Sequence, residues 1–139
     1  MYPDPEVTGR DTAFEWVELC STQSVPIDLT AWTLEDNAEA DRVPPLTLAT
    51  FGCAIVAASA LAQLPDGVPR VDLSDGSIGN GLANTGDRLR LKDATGQVID
   101  ALSWGADRSV YDPSCPLARP GRSLARTEDP AEGCPFAEQ

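Results

Sequence analysis

The sequence predicts an all-β protein, an antiparallel sandwich or barrel. Three observations carry this. The 12 prolines and 11 glycines are scattered so that no window of about 12 residues holds a 3.6-residue apolar period. Apolar and polar residues alternate in short runs instead. Turn residues recur every ~8–12 positions, the spacing of sandwiches and barrels.

The elements follow in order. Phe14-Glu-Trp-Val-Glu-Leu-Cys20 alternates, with Phe14, Trp16, Glu18 and Cys20 on one face and Glu15, Val17 and Leu19 on the other. Ile27-Asp-Leu-Thr-Ala-Trp-Thr-Leu34 follows a turn at Ser24 to Pro26. The run from Arg42 to Leu48 carries Pro44-Pro45, which suits an edge strand or an extended lead-in. Cys53-Ala-Ile-Val-Ala-Ala58 is almost continuously apolar, as in a strand covered on both faces. A loop over residues 74–87 holds four glycines and two asparagines. The clearest element comes next. Leu89 and Leu91 point in, Arg88, Arg90 and Lys92 point out, Asp93-Ala-Thr-Gly96 makes a type I turn, and Gln97 to Trp104 returns as a hairpin. Arg122-Ser-Leu-Ala-Arg126 is the last expected strand. No repeat or linker divides the chain, so residues 1–139 read as one domain with a core over about residues 14–126 and a Cys- and Pro-containing extension over residues 114–139.

Composition narrows function. Ten Lys and Arg stand against 22 Asp and Glu, a net charge of −12, and there is no histidine. Serine and cysteine triads that need His are excluded, as are zinc sites with His ligands. The negative charge argues against a protein built for phosphates or anionic lipid. No apolar run approaches the ~18 residues of a membrane span. Met1-Tyr-Pro-Asp-Pro5 has neither the basic nor the apolar region of a signal peptide, so the chain is expected to be part of a longer protein.

Four cysteines allow three pairings. No close pair of the zinc-ligand kind occurs. Cys115 and Cys134 lie in Pro-rich segments, expected to lack regular structure, that a staple would order. Cys20–Cys53 follows by elimination; the alternative is two small apolar core residues. Disulfides would imply an oxidising compartment.

The constellations that carry chemistry elsewhere are incomplete here. Gly81 to Gly86 has P-loop spacing, but Asp87-Arg88 stands where Lys-Ser/Thr is required, and a carboxylate repels phosphate. Glu15 and Glu18 fall on opposite strand faces and cannot pair as acid and base. Asp36, Asn37, Glu39 and Asp41 cluster in one turn, read as a solvated acidic turn rather than a calcium site because the EF-hand order is absent. Asp93 belongs to its turn, while Asp100 is either on the solvent face or a buried acceptor for loop amides. Lys92 on an exposed hairpin face is a poor base for a serine nucleophile. No catalytic residue, metal site or cofactor is therefore expected. Arg88, Arg90 and Lys92 share a strand face, and Arg119, Arg122 and Arg126 crowd the last strand. If those strands are neighbours, Arg88, Arg90, Lys92, Arg122 and Arg126 form a candidate interaction face; otherwise they are solvated charges paired with nearby acids.

Glu15-Trp-Val-Glu-Leu19, Val25-Pro-Ile-Asp-Leu29 and Ala31-Trp-Thr-Leu34-Glu-Asp-Asn37 together resemble the opening of a lamin-tail domain. Leu82-Ala-Asn-Thr-Gly-Asp87, Leu89-Arg-Leu-Lys-Asp93, Gly96-Gln-Val-Ile-Asp100, Ser103-Trp-Gly105 and Gly121-Arg-Ser-Leu-Ala-Arg126 continue the likeness over about residues 14–126. The resemblance implies an immunoglobulin-like β-sandwich with no catalytic site. In nuclear lamins such a domain follows a coiled-coil rod and docks proteins, with nucleic-acid contact sometimes proposed. In bacteria similar domains occur in exported and surface proteins, sometimes beside nucleases or other hydrolases. There is no heptad rod here, and the excess of Arg over Lys suits a GC-rich bacterium. The expected role is thus a protein-binding module of an extracellular or cell-surface bacterial protein. The alternatives are a nucleic-acid-binding domain, disfavoured by charge, or an accessory domain of an extracellular hydrolase. Family members usually open with a strand that would already be ending at Met1 to Pro5, so a missing first strand and a strand-mediated homodimer are also expected.

Overall fold

The computed structural model describes residues 11–60, 62, 64, 66–131 and 133–139. A 3-10 turn, Asp11–Phe14, leads into β1, Trp16–Cys20. Two short strands follow, β2, Ile27–Asp28, and β3, Thr33–Glu35. Next come β4, Ala40–Arg42, β5, Thr47–Leu48, β6, Cys53–Ala57, and β7, Arg70–Asp72. The long hairpin is β8, Gly86–Lys92, and β9, Val98–Gly105. β10, Leu124–Ala131, and β11, Cys134–Glu138, close the described chain.

The strands form two main sheets, β1-β6-β7 and β4-β3-β8-β9, with small pairs β2-β5 and β10-β11. All described strand pairs are antiparallel except β6 with β7, a parallel pair joined by a crossover. Arg70 ties that crossover down, its guanidinium donating to the Ser59 and Ala62 carbonyls at 2.6 and 2.9 Å.

Alternation builds the core. Leu19, Ala54 and Val56 from one sheet meet Leu34 and Leu89 from the other, with Leu29, Val43, Leu48, Leu73 and Ile78 filling the ends. The opposite face of β6 buries Ile55 and Ala57 with Ala62, against Trp16. β6 is thus covered on both sides, as its unbroken apolar run predicts. This is the two-layer arrangement in which each sheet hides one apolar face against the other.

The hairpin turn behaves as its sequence demands. Gly96 N–H donates to the Asp93 carbonyl at 3.0 Å. Asp93 Oδ1 accepts from the Thr95 and Gln97 amides at 2.8 and 3.0 Å, which holds the Asp93 carboxyl below the usual range, mainly through the Thr95 hydroxyl. Pro44-Pro45 lies between β4, an edge strand, and β5. One expectation needs correcting. The segment around Cys134 is regular, because Cys134–Glu138 zips onto β10 as β11.

Candidate functional site

The glycine-rich loop packs against the acid side chains. A loop of this kind leaves backbone amides without strand partners, and buried amides must be satisfied. Here carboxylates do it. Asp36 is fully buried and accepts from Ala38 and Glu39 N–H through Oδ1, both at 2.7 Å, and from Asn80 N–H through Oδ2 at 2.8 Å. Asp41 Oδ2 accepts from Gly79 N–H. Glu15 Oε1 accepts from Leu82 N–H at 2.9 Å, and Asp87 Oδ2 from Ala83 N–H at 3.0 Å. Gly79 adopts φ +56°, and a Cβ there would sit 2.2 Å from the Asp36 carboxyl, so only glycine brings the loop this close.

Two readings change as a result. The turn holding Asp36 and Asp41 is solvated at Asn37 and Glu39, but Asp36 is buried and Asp41 half-buried, and both grip the loop. Glu15, set aside because it cannot pair with Glu18, is 2% exposed and central. Its Oε2 has no hydrogen-bond partner among the described residues. Burial pushes the Glu15 carboxyl up to about 7, against the pull of the Leu82 amide. Burial likewise raises Asp41, with Asp75 and Asp36 adding like charge. Of the four acids only Asp87 adjoins the loop in sequence, and the fold brings Glu15, Asp36 and Asp41 to it from 38 to 67 positions away.

Beside the loop lies an open cleft of about 570 Å³ lined by Asp11, Thr12, Asp75, Ser77 and Asn80 among others. Glu18, Cys20 and Cys53 also lie together, but the two sulfurs are bonded to each other and are not thiolate ligands.

The basic residues do not gather as the sequence allowed. The hydrogen-bonded neighbours of β8 are β3 and β9, not β10. Glu35 on β3 faces Arg90 at 3.5 Å and bonds Lys92, which holds the Glu35 carboxyl below its ordinary value. Arg126 donates to both oxygens of Asp100 at 2.6 and 2.7 Å and lies 4.6 Å from the Phe136 ring centroid. Asp100 is therefore on the solvent face, not a buried acceptor. Arg88 lies opposite Ser103 on β9, and its Nε is buried without a partner among the described residues. Arg122 is exposed and its amide donates to the Arg119 carbonyl.

The cysteines are joined as Cys20–Cys53 and Cys115–Cys134. The first links directly opposed residues of β1 and β6. The second anchors the β10-β11 hairpin to the segment that bridges to Trp104. Trp104 also donates its indole N–H to the Ala83 carbonyl at 2.9 Å, another tie to the loop. No helix among the described residues is long and apolar enough to cross a membrane.

The two packed sheets form an immunoglobulin-like β-sandwich, the class of a non-catalytic interaction module. The family model described as Lamin Tail Domain matches residues 1–106, and the chain belongs to that family. The match stops at residue 106, so the Gly121 to Arg126 stretch lies outside it. No curated protein matches the chain significantly. The expected missing first strand, and with it the strand-mediated homodimer, falls on residues 1–10, outside the described residues.

Proposed function

We propose that residues 1–139 form one protein-docking domain of an exported or surface-displayed bacterial protein, with no catalytic role of its own. One observation carries this reading. Glu15, Asp36 and Asp87 are buried and Asp41 is half-buried, and each is bonded to an amide of residues 79–83. Groups held this way build a rigid surface loop; they do not converge on a site where a substrate atom could sit. Rigid loops on a sandwich are the usual place for recognition. Two disulfides fit an oxidising compartment. An accessory role beside an extracellular hydrolase is compatible with the same surface.

The test has two arms. A thiol count under denaturing, non-reducing conditions is expected to find none, and four free thiols would refute the extracellular placement. A screen for esterase, phosphodiesterase and nuclease turnover is expected to be blank; turnover abolished by Glu15→Gln or Asp36→Asn would overturn the non-catalytic reading. Nucleic-acid binding is disfavoured because Glu35 and Asp100 already engage Arg90, Lys92 and Arg126. A low-salt titration with duplex DNA is expected to show no salt-sensitive binding.

A further inference from the structure

Two turns meet at one end of the sandwich, over residues 21–26 and 49–52. They are laced together by the Cys20–Cys53 disulfide, by Ser21 N–H to the Gly52 carbonyl at 2.9 Å, and by Phe51 N–H to the Gln23 carbonyl at 3.2 Å. Phe51 is the most exposed large apolar side chain described, at 66%, and Val25, two residues beyond Gln23, is 59% exposed.

Phe51 is also in the wrong place for folding. Gly52 N–H donates to the Ala49 carbonyl at 2.9 Å and closes a four-residue turn with Phe51 third, at φ +51°. That position favours Gly or Asn, and a bulky residue there costs stability. The ring recovers little by burial. An aromatic kept exposed on a strained, rigid turn is what a contact residue looks like.

Charge indicates what it contacts. Residues 20–27 and 43–65 contain no Asp, Glu, Lys or Arg in a chain with a net charge of −12. Burial explains this for β5 and β6, but not for the exposed residues 22–26 and 49–51. The nearest formal charges along the chain are Glu18 and Asp28, two residues before Cys20 and two after Pro26, with the Glu18 carboxylate beside the Cys20–Cys53 sulfurs. Two copies of so acidic a molecule repel wherever their acids face, and least here. A small apolar patch placed on a two-fold axis is complementary to itself. We infer that this uncharged tip is a self-association site, where two copies meet end to end through Phe51 and Val25. Two apolar side chains per copy are far fewer than a stable dimer uses, so the contact is weak and reversible.

Sedimentation velocity and amide chemical shifts of the oxidised chain, followed up to about 1 mM at about 0.15 M salt, test this. The weight-average sedimentation coefficient is expected to rise with concentration, with shift changes centred on residues 22–25 and 50–52. Phe51→Asn is expected to abolish the rise while leaving the melting temperature equal or higher, since Asn accepts positive φ. Val25→Ser, which leaves the strained turn untouched, is expected to weaken association in parallel. A monomer throughout the range, or dimerisation that survives Phe51→Asn and Val25→Ser, would overturn the inference. So would concentration-dependent shifts centred on the exposed Val98 and Ile99 instead. Binding of a strictly monomeric chain to phosphatidylcholine vesicles, lost on Phe51→Asn, would assign the tip to a lipid surface and also overturn it.

Discussion

The loop over residues 74–87 and the paired turns over residues 21–26 and 49–52 are both irregular backbone, but they are held by different chemistry. The loop is gripped by carboxylates: its amides at 79, 80, 82 and 83 donate to Asp41, Asp36, Glu15 and Asp87. The paired turns rely on a disulfide and backbone hydrogen bonds, without an ionisable side chain in either turn. Carboxylates can satisfy several amides each, and the desolvation of Glu15 and Asp41 makes the grip depend on pH. A disulfide acts mainly on the unfolded chain and depends on redox conditions instead. The loop should therefore respond to protons and the paired turns to reductant.

The largest effect is expected at Asp36. Asp36→Ala removes the acceptor of three amides in a fully buried site. Hydrogen bonds to charged groups contribute about 1.5–3 kcal/mol each and are not additive, so a loss of about 4 kcal/mol or failure to fold is expected in chemical denaturation. Asp36→Asn, which keeps an acceptor oxygen, should cost less. Next comes the tip. Opening Cys20–Cys53, 33 residues apart, by a double Cys→Ser change should cost roughly 3–4 kcal/mol in the chain-entropy model, equally at pH 5 and pH 8.

Glu15 supplies the contrast in pH. Its carboxyl is raised from 4.5 to about 7 by burial, so the folded chain binds that proton more tightly than the unfolded one. The contribution is complete below pH 4.5 and is lost as pH rises through about 7, a fall of about 2–3 kcal/mol. Asp41, raised by burial, acts with the same sign. Glu35, Asp93 and Asp107 are lowered and act oppositely, but only as the solution is acidified through the ordinary carboxylate range. Between pH 5 and 8 the chain should thus melt at lower temperature as pH rises, and Glu15→Gln should flatten that slope. The smallest effect is expected for Arg126→Ala. Its pair with Asp100 is half exposed and salt-screened, so a change below about 1 kcal/mol is expected in the same assay.

Regular elements were legible because alternation and turn chemistry are local. The β8-β9 hairpin, the doubly covered β6 and the Asp93 turn all follow from adjacent residues. The carboxylate grip was not legible, because it joins residues 44 and 67 positions apart. Burial of an acid is decided by which loop folds over it, and charge alone made Asp36 and Asp41 look solvated. The basic face turned on a similar non-local relation. Strand faces can be read from period two, but which strands lie side by side cannot, and β8 lies between β3 and β9. Cys134 was placed in irregular structure by its prolines, whereas its strand depends on a partner, β10, earlier in the chain.

Amide hydrogen exchange of the native chain at pH 6 examines the carboxylate grip most directly. Gly79, Asn80, Leu82 and Ala83 are expected to be protected to the level of β6, and Asp36→Asn should release Asn80 first. Exchange of these four amides as fast as that of the exposed turn at Gly67, with β6 still protected, would contradict it.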